Sequence, residues 1–123
     1  MSDEMATSDT VHGRFWLLAD KLVASHEIVI DRPQGSRHPR LPNIVYPLDY
    51  GYLADTGAID GGGIDAWRGS LPDRRVIGVI ATIDLFKRDA EIKLLIGCTE
   101  LEASQALATH NQESQAGILF LRP

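Results

Sequence analysis

The chain has 123 residues, 44% of them apolar, and sets twelve Lys and Arg against seventeen Asp and Glu for a formal charge of −5. That length supports one domain with a real core rather than two. The acidic balance and 7% aromatics argue against a nucleic-acid binder, which needs basic side chains for phosphates and rings to stack bases. No run approaches the roughly 20 apolar residues that span a bilayer, and the polar, acidic first ten residues do not read as an export signal. A cytoplasmic protein without membrane contact is expected.

Residues 1–11 have no apolar period and are expected to form a disordered tail, leaving residues 12–123 as the single domain. Phe15, Trp16, Leu18, Ala19, Leu22 and Val23 recur at helical spacing and predict an amphipathic helix over residues 12–24. Short strands follow at 27–31 and 43–46, separated by the Pro-Gln-Gly turn and stopped by Pro47. Alternation predicts a strand at 64–68. The β-branched run at 75–84 predicts a long strand bent at Gly78, paired through a charged turn with a strand at 91–96. Thr99 caps a predicted helix over 99–110, and residues 116–121 return as a strand. Short strands with a helix at each flank favour a small closed or partly closed β-barrel. The lone Cys98, at the end of an apolar run, is expected to be a buried filler.

Chemistry concentrates in the window from Tyr46 to Asp65. Tyr46-Pro-Leu-Asp-Tyr-Gly-Tyr52 precedes Asp60-Gly-Gly-Gly-Ile-Asp65, and the three glycines allow the backbone to bend so that Asp60 and Asp65 face one centre. Asp84 ends the long strand; if that strand runs beside residues 64–68, the three aspartates converge on a hard cation such as Mg²⁺. Asp-Gly is equally a common turn signal, and the tyrosines could be core or rim residues. Lys93, inside an apolar strand, points either to solvent or to a site anion. The four histidines show no zinc spacing, the glycine run lacks the Lys-Ser/Thr of a phosphate loop, and no Gly-x-Ser-x-Gly elbow is present.

The tyrosine block, Asp60-Gly-Gly-Gly-Ile-Asp65, and Asp84 followed by Glu91-Ile-Lys93 together resemble the soluble Mg²⁺-dependent inorganic pyrophosphatases across roughly residues 27–97. The resemblance implies an OB-like five-stranded barrel with flanking helices, hydrolysis of pyrophosphate or a related phosphoanhydride with Mg²⁺, and assembly as a homo-oligomer. It implies Asp60, Asp65, Asp84 and Glu91 as metal ligands, and Asp65, Tyr46 and Lys93 as catalytic residues. Tyr46, Tyr50 and Lys93, with Arg37 and Arg40 as the candidate arginines, would bind substrate. The family's acidic signature reads Asp-Gly-Asp-Pro-hydrophobic-Asp. Here Gly62 stands at the middle aspartate, implied to bind metal and activate water, and Gly63 at the proline. A non-catalytic phosphate-ligand or oligomerising module on the same barrel is the alternative.

Overall fold

The computed structural model describes residues 11–57 and 61–123. The expected N-terminal tail, but for Val11, and Asp60 lie outside the described residues. Eight elements follow in order: α1 (Val11–Ala24), β1 (Ile28–Arg32), β2 (Asp49–Leu53), β3 (Ile64–Arg68), β4 (Val76–Asp84), β5 (Asp89–Ile96), α2 (Glu100–Thr109) and β6 (Gln115–Leu121). Among the described residues no helix is long and apolar enough to cross a membrane.

The strands form a single mixed sheet in the order β1-β2-β3-β5-β4-β6. This corrects the expectation of a five-stranded barrel: among the described residues there are six strands, and the sheet stays open, with β1 and β6 at its two edges. Neighbours are antiparallel except β3 and β5, which run parallel with Ala66 opposite Leu94. β5 therefore lies between β3 and β4, so Asp84 does not end a strand that runs beside Asp65. The expected strand at 43–46 is part of a loop, held back on itself by an isolated Arg37–Val45 bridge outside the sheet. The tyrosine-rich segment forms β2 instead. Gly51 makes this possible, because a Cβ there would stand 1.7 Å from the Val29 carbonyl oxygen of β1. The bend expected at Gly78 is a register shift between Val76 and Gly78.

Each face of the sheet carries one helix. α1 lays Trp16, Ala19 and Val23 against Leu53, Ala66, Val76, Val79, Leu94 and Ile96. Its Asp20 Oδ1 accepts the Val76 amide at 3.0 Å and pairs with Arg122, tying helix, central strand and C-terminal segment together. Arg74 donates to the Val23 and His26 carbonyls at the end of the helix, where a cation suits the dipole. On the other face Ala103 and Ala106 of α2 pack over Trp67, Ile80 and Leu95. A capping box between Thr99 and Glu102 fixes the start of α2, and Glu102 also accepts the Ser70 amide from the loop after β3. Cys98 is buried in this layer, and burial followed by the nearby Glu102 pushes its thiol up to about 12.

Candidate active site

On the face that α2 covers only in part, a cavity of about 630 Å³ opens beyond the helix's C-terminal end. Its floor is aromatic. Tyr50 of β2 lies opposite Trp67 of β3 in register, with ring centroids 4.6 Å apart. Tyr46 stacks on Tyr50 at 5.5 Å, and His38 stacks on Tyr46 at 6.3 Å. His110, just past α2, accepts the Trp67 indole N–H on Nε2 at 3.0 Å, so its proton resides on Nδ1, 2.8 Å from Gln115 Oε1. Burial, only partly offset by Gln115, lowers His110 to about 4 and keeps the ring neutral.

Against this floor stands a charged cluster. Lys93 is 2% exposed and places Nζ 2.6 Å from Asp65 Oδ2 and 2.6 Å from Glu91 Oε1. The sheet dictates the grouping: Glu91 and Lys93 alternate onto one face of β5, and the parallel neighbour β3 brings Asp65 alongside. Burial alone would lower the Lys93 pKa, but Asp65 and then Glu91 outweigh it and hold it above its ordinary value. The Tyr50 hydroxyl is hydrogen-bonded to Asp65; burial first and that carboxylate second raise Tyr50 well above the usual phenol range, so it stays a donor. Lys93, expected either in solvent or at a site anion, is buried at the site.

The rim sets Arg32, Arg40 and Lys87 among Asp31, Asp84 and Glu113; its cations come from the 33–48 loop, the end of β1 and the β4–β5 turn. Arg32 donates to the Tyr46 hydroxyl at 3.1 Å. Arg40 lies over the Phe86 ring at 4.6 Å, and Lys87 is beside it on the cavity wall. His38 Nδ1 accepts the Arg40 and Leu41 amides at 3.1 Å; burial, then Arg32, Arg40 and Lys87, lower its pKa, leaving a neutral ring. The loop keeps its shape through bonds from Tyr46 N to Ser36 O and His38 N to Ile44 O, and through Asp49, which accepts the Gln34 amide.

The fold thus brings together Asp65, Glu91 and Lys93 in one cluster, and Tyr46, Tyr50 and Arg40 on the same cavity. Asp84 lines this cavity too, but it serves the turn: Oδ1 accepts the Phe86 and Lys87 amides and the Ser114 hydroxyl, while Oδ2 takes only a long 3.4 Å bond from Gln115. Burial would raise its pKa; the Lys87, Ser114 and Phe86 donors prevail and lower it. Arg37 is not on the cavity wall and donates to the Pro42 carbonyl. Two residues that the sequence did not single out for the site are prominent in it. Arg32 stands fourteen positions before Tyr46, a separation that conceals their contact, although it closes a strand next to Pro33; His110 carried no motif, and only its place at a helix end marked it.

Among the described residues no three His, Cys, Asp or Glu side chains converge as a metal centre. Two do: Asp65 and Glu91 turn carboxylate oxygens toward one point, now answered by the Lys93 ammonium. Two hard oxygen donors suit Mg²⁺, which takes one or two carboxylates and keeps waters or phosphate oxygens for the rest of its shell. The glycine loop that leads to Asp65 is not a distorted Asp-Pro turn. Gly63 has φ +90 and a Cβ there would meet the Leu53 carbonyl at 2.8 Å, so proline, fixed near −65°, cannot occupy it.

No family model and no curated protein matches the chain by sequence. Solved structures do match in fold. An inorganic pyrophosphatase from Neisseria gonorrhoeae superposes with a TM-score of 0.58 at 18% identity, covering 72% of this chain and 77% of that one. The inorganic pyrophosphatase of Helicobacter pylori superposes with a TM-score of 0.53 at 15% identity, covering 79% and 85%. The chain has a pyrophosphatase-like fold.

Proposed function

We propose that the chain is a cytoplasmic, Mg²⁺-dependent hydrolase of inorganic pyrophosphate or a related phosphoanhydride, and that it acts as a homo-oligomer. The observation that carries this reading is the buried Lys93 between Asp65 and Glu91 beside a cavity that carries Arg32, Arg40 and Lys87 on its rim. Bound Mg²⁺ would be held by Asp65 and Glu91, with Asp60 and the Oδ2 edge of Asp84 as the further candidates, and supplies neutralisation of phosphate oxygens and a more acidic water.

The protein's own residues divide the remaining work. An ammonium has three N–H groups; Lys93 gives two to carboxylates, and the third is available to a phosphate oxygen. Arg32 and Arg40 clamp the outer phosphate oxygens by charge-assisted bonds. Tyr46, whose oxygen accepts from Arg32, keeps its own O–H for substrate; burial raises its pKa despite that guanidinium, so the proton stays. Tyr50 fixes the Asp65 carboxylate, which takes the proton of the attacking water. The aromatic floor excludes solvent from this side.

Phosphate release from pyrophosphate is expected to require Mg²⁺ and to fall about 10²- to 10⁴-fold in Asp65→Ala, the range for a lost positioned base. Release without metal, or none from purified protein, would sink the reading. One observation favours a non-catalytic phosphate-ligand module instead: both carboxylates are already answered by Lys93, and Gly62 supplies no acid. Calorimetric titration with Mg²⁺ and pyrophosphate separates the two, since heat of binding without turnover belongs to the module.

A further inference from the structure

Among the described residues, only α1 packs on the opposite face of the same sheet, and it covers that face in part. α1 covers the end with Val76 and Ile96. Beyond Val79 and Leu94, which α1 also buries, register sets two apolar rows across β6, β4 and β5, Ile118-Ala81-Ile92 and Ala116-Ile83-Ala90, with Phe120 exposed at the near edge. Ile83, Ile118 and Phe120 are 56%, 58% and 52% exposed, and Ile92 is 48% exposed. Phe15 and Leu18 on the flank of α1, both about half exposed, extend the surface, and hollows of about 480 and 470 Å³ lie along it, meeting at Ala90 and Ile92. β6 contributes no charge anywhere in its seven residues. Isolated apolar side chains on a surface are ordinary; a continuous field of this size is the mark of an interface.

We infer that this face is where two copies of the chain pack, sheet against sheet, around Ile118. The inference deepens the homo-oligomer part of the proposed function by naming its surface. Two observations select a second copy as the occupant. Six large side chains at about half exposure, with the alanines between them, offer on the order of 600–800 Å² per copy, about the share each partner gives to a standard interface. The two rows and β6 carry no charged side chain, and the charge near them, Asp65, Asp89 and Glu91, lines the hollows, so the apolar centre can match its own copy across a two-fold axis. Pairing along the β6 edge is the competing geometry, and Asn111 opposes it: its side chain accepts the Gly117 amide and donates to the Gly117 carbonyl, filling the outward backbone groups at mid-strand.

Sedimentation velocity of the full chain across a micromolar concentration series tests this. The wild type is expected to sediment as a dimer or a higher assembly built from dimers. Ile118→Glu and Ile92→Lys each place an unpaired charge in the contact and are expected to raise the dissociation constant at least about 100-fold, with unchanged far-UV circular dichroism. A wild type that remains monomeric overturns both the interface and the oligomer reading, whatever the variants do. An assembly that survives both folded variants overturns the interface alone. Neither outcome touches the hydrolase reading, which is decided by phosphate release.

Discussion

The two faces of this sheet are built from the same strands and put to opposite uses. On β5, Glu91 and Lys93 turn to one side and Ala90, Ile92 and Leu94 to the other. The first side is a buried charge cluster on an aromatic floor, where each polar group depends on a particular partner. The second, past Leu94, which α1 buries, is an apolar field whose large side chains are about half exposed. Substitutions should therefore be severe and specific on the polar face. On the apolar face they should be mild for the fold and visible only in assembly.

Lys93→Met is expected to show the largest effect. Removing the ammonium leaves Asp65 and Glu91 facing each other without a counterion, and breaking a buried ion group by deleting one partner costs about 3–5 kcal/mol. Urea denaturation reads this directly, and a loss below about 1 kcal/mol would mean the cluster is solvated rather than buried. His110 comes next. Its folded pKa, about 4, is depressed from the ordinary 6.5, so the unfolded chain binds the proton more readily and stability is lost as pH falls from about 6.5 toward 4. The shift corresponds to about 3 kcal/mol across that window, and His110→Gln should flatten this part of the stability profile. A slope unchanged in the variant would assign it elsewhere.

Gly62→Asp tests the catalytic side of the same face. Restoring an acid next to Asp65 is expected to raise pyrophosphate turnover about tenfold or more, as a positioned base does; a fall would mean the glycine loop is tuned for a different reaction. Arg40→Ala, which removes a cation–π contact at an exposed ring, is expected to cost no more than about 1 kcal/mol of stability, while raising the KM for pyrophosphate. Smallest of all, Ile92→Lys should change the stability of the single chain by no more than about 0.5 kcal/mol, as surface positions do. A larger loss would show that the apolar face is part of the core.

Much of this arrangement was legible in the residues. Apolar spacing marks α1, β-branched runs mark β4 and β5, and the capping Thr99 marks the start of α2, because these signals are local. The position of β2 was hidden, since Asp49, Gly51 and the neighbouring Pro47 read as a turn; only the close approach to the Val29 carbonyl explains the glycine within a strand. The neighbour of β3 was equally hidden. Parallel pairing with β5 joins residues nearly thirty positions apart, and no turn chemistry announces it. The same limit governs the site: Asp65, Glu91, Lys93, Tyr46 and Tyr50 stood out by motif, while Arg32 and His110 entered through tertiary packing. Openness of the sheet, with β1 and β6 at separate edges, likewise follows from pairings that the period-2 pattern does not encode.

The most direct test is phosphate release from pyrophosphate by purified wild type and Asp65→Asn, each with Mg²⁺ and with the metal chelated. Release by the wild type that is abolished by chelation, and reduced at least about 100-fold in Asp65→Asn, is the predicted result. Equal rates for the two proteins, or release that persists without Mg²⁺, would contradict a metal-dependent site built on Asp65, Glu91 and Lys93.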